Sequence, residues 1–89
     1  MASYIALLRK DADSDFGVEF PDFPGCISAG QTLDEARVMA SEALAGHAEI
    51  LLEGGENLPR PGALEDAMRD PENQGAVAFL VSIQTLTVP

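Results

Sequence analysis

Three sets of side chains in this 89-residue chain could do chemistry. Asp11-x-Asp13-x-Asp15 has the opening acidic spacing of a calcium-binding loop, and Asp22 falls where that loop's closing carboxylate would stand. Cys26 and His47 are the single cysteine and the single histidine, the minimum for a thiolate nucleophile with its base. Asp11, Glu19 and Asp22, joined by acids from a later helix, could form a carboxylate pair for proton transfer or a two-metal phosphodiesterase centre.

None of the three finds support in its surroundings. The calcium pattern needs glycine at its tight turn and has Phe16 there, and strands rather than helices flank it, so a solvated hairpin turn is expected. No second histidine or cysteine completes a metal set, and nothing in the spacing joins Cys26 to His47. Cys26 reads as a small buried hydrophobe, and His47 as a packed residue on an apolar helix face. The scattered carboxylates carry no sign of burial that would shift their pKa values. There is no phosphate-cradling glycine loop and no serine nucleophile motif. The residues alone describe a small acidic interaction module with neither cofactor nor metal.

Composition sharpens that reading. Fifteen acidic side chains face five basic ones, a formal charge of −10, with 46% apolar residues. This balance suits one globular domain, 1–89, with a single core. Phosphate backbones repel so acidic a surface, which argues against direct nucleic-acid binding and favours a basic protein partner. A lone cysteine permits no internal disulfide, and no signal peptide or membrane-length apolar run is present, so a cytoplasmic setting without membrane contact is expected.

The elements follow from punctuation and period. Tyr4–Leu8 is a short apolar strand, Asp11–Asp15 a polar turn, and Phe16, Val18 and Phe20 alternate as a second strand, which together make a hairpin. Pro21-Asp-Phe-Pro-Gly25 is a rigid bend, and Cys26–Ala29 a short third strand. Thr32-Leu-Asp-Glu35 is a capping box opening a helix that ends at Gly54-Gly55 and spans roughly 30 Å. Leu33, Ala36, Ala40, Leu44, His47, Ala48 and Leu51 share its apolar face, with Ala43 and Ile50 at the margin. Glu35, Glu42, Glu49 and Glu53 form an acidic ridge opposite. Two helical turns over Ala63–Arg69 should turn Leu64, Ala67 and Met68 inward. Ala76–Val88 is the longest strand candidate, apolar on both faces and so expected to be central. The predicted fold is α+β, a β-β-β-α-β antiparallel sheet with one long helix packed on it.

One segment says more. Phe20-Pro-Asp-Phe-Pro-Gly-Cys-Ile-Ser-Ala-Gly-Gln-Thr-Leu-Asp-Glu-Ala36, continuing through Glu42-Ala-Leu44 to Leu58-Pro59, resembles the signature of the HicB family of type II antitoxins. The resemblance runs over roughly residues 4–86. It departs mildly at Ser28 and Gln31, where threonine and an acid are commoner, and at Gly62, where serine is frequent. It implies a partly degraded RNase-H-like domain that binds a small, basic HicA-type toxin, which cleaves mRNA with a catalytic histidine. Neutralisation would come from masking the toxin's RNA-binding and catalytic face. Family members often add a C-terminal segment that binds promoter DNA and supports dimers or tetramers. The usual segment is missing from 1–89, so DNA contact is not expected of this stretch.

On this reading the contact residues are Glu19, Asp22, Phe23 and Pro24 at the rigid bend, then Glu35, Glu42, Glu49 and Glu53 on the ridge. Asp22 and Glu35 also have structural readings, as turn and cap. Two alternatives stay open: an oligomeric module for another protein partner, and a vestigial two-metal nuclease.

Overall fold

The computed structural model describes residues 2–83. Strands β1 (Ala2–Lys10), β2 (Phe16–Glu19), β3 (Ile27–Gly30) and β4 (Val77–Ile83) form one sheet in the order β3-β2-β1-β4. Every neighbouring pair is antiparallel. Helix α1 (Leu33–Glu53) follows β3, and a short helix α2 (Leu64–Met68) and a 3-10 turn (Pro71–Asn73) lie between α1 and β4. This is the α+β arrangement expected from the sequence.

The pleat sorts the side chains. Leu8 pairs with both Val18 and Val77, so Tyr4, Ala6, Leu8, Val18, Val81 and Ile83 share the face on which α1 packs. Ile5, Leu7, Arg9 and Glu19 point the other way, where the stretch leading through α2 and the 3-10 turn crosses the sheet. With both faces covered, every residue from Tyr4 to Leu8 is buried, which explains an unbroken apolar run where a one-sided strand would alternate.

Helix α1 lies close on the sheet because its contact face is small. Ala36, Ala40, Leu44 and Ala48 are its buried residues. At Gly30 the approach is tightest: a Cβ there would stand 2.4 Å from the Ala36 nitrogen, so only glycine lets β3 run into the helix. The capping box forms as expected, with Thr32 Oγ1 accepting from the Glu35 amide at 3.1 Å and Glu35 Oε1 from the Gln31 amide at 3.0 Å. At the other end Gly55 has φ 80°, and the Glu56 and Gly55 amides donate to the Leu51 and Leu52 carbonyls, a Schellman closure.

Three expectations are corrected. β4 is an edge strand, not a central one: β1 holds the middle because both β2 and β4 pair with it. Leu80 is 67% exposed and Val77 62%. The residues predicted to extend β4, from 84 to 88, lie outside the described residues. Leu33, expected in the core, is 48% exposed: the first residue of α1 turned onto the sheet is Ala36, which is fully buried beside Gly30. α2 buries none of its residues, and Leu64 is 47% exposed: so short a helix rests on the sheet by its neighbours.

Candidate partner-binding surface

The rigid bend between β2 and β3 is built by its own backbone. The Phe23 amide donates to the Phe20 carbonyl at 3.0 Å, the Cys26 amide to the Phe23 carbonyl at 2.9 Å, and Gly25 supplies the positive φ of 88° that closes the turn. Side chains then fasten it. Phe23 is 2% exposed and stands edge-on to Tyr4, ring centroids 4.7 Å apart, and to His47 at 5.7 Å. Asp22 Oδ2 accepts from the Gly62 amide at 2.9 Å, tying the bend to the loop after α1. The Tyr4 hydroxyl donates to the Pro59 carbonyl at 2.6 Å and pins the same loop. Burial, helped by the negative charge of Asp22, holds the Tyr4 phenol above its ordinary pKa. Burial also pushes up the Cys26 thiol, which keeps it protonated and unfit as a nucleophile at neutral pH.

An open groove of about 350 Å³ runs beside this bend. Glu19, Pro24 and Ile27 line one wall and Asp70, Glu72 and Asn73 the other. Arg9 sets the two walls against each other: its guanidinium donates to Glu19 Oε1 at 2.6 Å, to Asn73 Oδ1 and to the Glu72 carbonyl at 3.3 Å. Asp70 caps the 3-10 turn by accepting from the Glu72 amide at 3.0 Å. The groove is therefore acid-walled, with Ile27, 71% exposed, as an apolar anchor at its rim.

The residues singled out from sequence separate into four groups. Glu19 and Pro24 come together at this groove. Asp22 and Phe23 sit behind it: Phe23 is walled into the core and Asp22 is engaged by Gly62, so they hold the bend in place. Glu35, Glu42, Glu49 and Glu53 are exposed on α1, on the opposite side of the sheet from Glu19, and the Glu35 carboxylate closes the helix cap. Asp11, Asp13 and Asp15 stand exposed in the β1–β2 turn, which the Ser14 amide closes on the Asp11 carbonyl. Ile27, Asp70 and Glu72 line the same groove and stand outside the residues singled out from sequence. The alternation of Cys26, Ile27, Ser28 and Ala29 carried the signal for Ile27, because a buried cysteine turns its neighbour outward. Asp70 and Glu72 are drawn in by the tertiary Arg9 contact, which leaves no mark in local sequence. No helix among the described residues is long and apolar enough to cross a membrane.

The family model described as "HicB_like antitoxin of bacterial toxin-antitoxin system" matches residues 4–88. An uncharacterised 14.9 kDa protein from the rep–hol intergenic region of Haemophilus phage HP1 is 41% identical over 74 residues, 83% of this chain and 56% of the phage protein. The crystal structure of the Burkholderia pseudomallei antitoxin HicB superposes with a TM-score of 0.85 at 38% identity, covering 96% of this chain and 65% of that one. A chain of the HicA3 and HicB3 toxin–antitoxin complex gives a TM-score of 0.74 at 32% identity, over 92% of this chain and 98% of its own. The chain thus spans little more than half the length of the phage relative and about two thirds of the Burkholderia antitoxin.

Proposed function

The chain belongs to the HicB-like antitoxins of bacterial toxin–antitoxin systems, and from that premise we propose that it binds a small, basic HicA-type mRNA-cleaving toxin and neutralises it by covering the toxin's RNA-binding and catalytic face. The observation that carries this reading is the likeness, over 92% of this chain, to a chain held in a toxin–antitoxin complex. The family model and the Burkholderia structure that the chain matches bear the name of antitoxins. On this reading the domain 1–89, of which residues 4–88 match the family model, is the toxin-binding unit.

The charge and the groove give that reading a physical form. A net charge of −10 draws a cationic partner from a distance, and the Glu42, Glu49 and Glu53 ridge adds to that field without forming the contact. Contact falls on the groove of Glu19, Pro24, Asp70 and Glu72. Ile27 inserts at its rim as the desolvated anchor that carboxylates alone do not provide. Asp22 and Phe23 serve by keeping the bend rigid, so the surface is ordered before the toxin arrives. Covered in this way, the toxin's basic face meets carboxylates where it would meet RNA phosphates.

The test is co-expression of the chain with the small basic protein of the adjacent gene, followed by affinity capture. A stable complex is expected, weakened by Glu19→Lys and by Ile27→Asp and loosened as salt rises. Absence of a complex at micromolar concentration refutes the proposal.

A further inference from the structure

We infer that Arg9 is the positioning residue of the partner-binding groove: its guanidinium is the clasp that holds the Asp70–Asn73 wall against the sheet. Arg9 then governs binding through Glu19, Glu72 and Asn73 rather than by a contact of its own. The inference deepens the functional reading above and rests on it.

Packing holds that wall only loosely. α2 and the 3-10 turn bury none of their residues. Beneath α2 lies an open cleft of about 190 Å³, bordered by Ile5, Pro21, Ala63 and Ala67. The stretch is fastened at its start, where the Gly62 amide donates to Asp22, and at its end, where Val77 enters β4. Between those points, among the described residues, Arg9 is the only side chain of the sheet that hydrogen-bonds to it. A segment with so little buried apolar area opens at a free energy set by its few polar contacts.

Those contacts divide between the two nitrogens of the guanidinium fork. Nη1 donates to Glu19 Oε1 on β2, while Nη2 donates to Asn73 Oδ1 and the Glu72 carbonyl on the 3-10 turn. Asn73 carries the connection onward, its Nδ2 donating to the Ala67 carbonyl at 2.8 Å. A relay thus runs from β2 across β1 to the end of α2. Arg9 can lie along it because Gly17, its partner in β2, has no side chain on that face, and Glu19 is the next residue there. A lysine ends in one nitrogen, which reaches one wall at a time.

Charge alone predicts the opposite effect. Arg9 is a cation beside the groove's carboxylates, and removing it makes the surface more attractive to a basic partner. Positioning predicts a loss, because Asp70 and Glu72 then lose their fixed distance from Glu19 and must be ordered on binding.

Three variants separate these accounts: Arg9→Lys keeps the charge, Arg9→Met removes it, and Asn73→Ala removes the acceptor. Both positions are half-buried, and the circular dichroism of each variant should be that of the parent. In the free chain, hydrogen exchange followed by NMR should quicken roughly tenfold at the Asn73 and Gln74 amides in all three, and stay unchanged at Leu44 in α1. In stopped-flow mixing with the basic partner captured above, dissociation should quicken roughly tenfold in all three. Arg9→Lys should associate as fast as the parent. Arg9→Lys with Asn73→Ala should lose no more than either alone, as two members of one contact do. Tighter binding by Arg9→Met, a parental dissociation rate in Arg9→Lys, or parental exchange at Asn73 in the free variants overturns the inference and leaves the functional reading standing. Failure of the unsubstituted chain to form any complex overturns the functional reading instead, and exchange in the free chain still decides whether Arg9 holds the wall.

Discussion

Asp22 and Phe23 are neighbours in sequence with opposite environments, one on the surface and engaged by an amide, the other sealed against Tyr4 and His47. A signature motif marks both alike, because it records that a residue type is needed without saying whether it touches a partner. Phe23→Ala is expected to cost about 3–5 kcal/mol in urea unfolding, the range for emptying a buried aromatic site. Glu19→Lys, which breaks a half-exposed ion pair with Arg9, should cost about 1 kcal/mol of folding and act chiefly on toxin capture. Tyr4 offers a cleaner reporter, since it is the single tyrosine. Its phenolate absorbance should titrate above the ordinary value of 10.0 in the folded chain and return to it in denaturant. The same displacement sets the alkaline limit of stability. Folding favours the neutral phenol and the neutral Cys26 thiol, so their contribution is complete below their ordinary values of 10.0 and 9.0. It is lost as pH rises through the displaced ones. Thermal melts should therefore hold steady through neutral pH and fall in alkali, and Asp22→Asn should move the phenol titration downward.

The elements announced by local chemistry were the most legible. Thr32 and Glu35 fix the start of α1, Gly54 and Gly55 its end, and Pro21 to Gly25 the bend, because each of these signals acts within a few residues. Gly30→Ala tests how far such a signal governs packing. With a Cβ 2.4 Å from the Ala36 nitrogen, either β3 or the first turn of α1 must move, and a loss of about 1–3 kcal/mol is expected from chemical denaturation. The order of strands was less legible. β1 and β4 both read as continuous apolar runs, yet one is covered on two faces and the other bares Leu80 and Val77. What separates them is the traffic over the sheet: the stretch from Gly62 to Asn73 crosses above Ile5 and Arg9 and leaves Leu80 bare. Ile27 is half legible: the alternation after Cys26 turns it outward, but that its outward side faces a groove is set by the 3-10 turn packed across the sheet.

At the scale of the whole molecule, the carboxylates fall on two sides of the sheet. The Glu19 groove lies by β3 and the 3-10 turn, on the face away from α1. The Glu42, Glu49 and Glu53 ridge lies on α1, on the other face. On the proposed reading the groove makes the contact and the ridge only steers, and the two roles separate in kinetics. Removing a steering charge lowers the association rate and its salt dependence, whereas removing a desolvated contact raises the dissociation rate. Stopped-flow mixing with the captured partner should therefore show Glu42→Gln, Glu49→Gln and Glu53→Gln together slowing association at low salt, with dissociation unchanged. Ile27→Asp should raise dissociation at every salt concentration. A dissociation rate moved by the ridge substitutions would put the ridge in the contact, and the division of the molecule into a steering face and a binding face would fail.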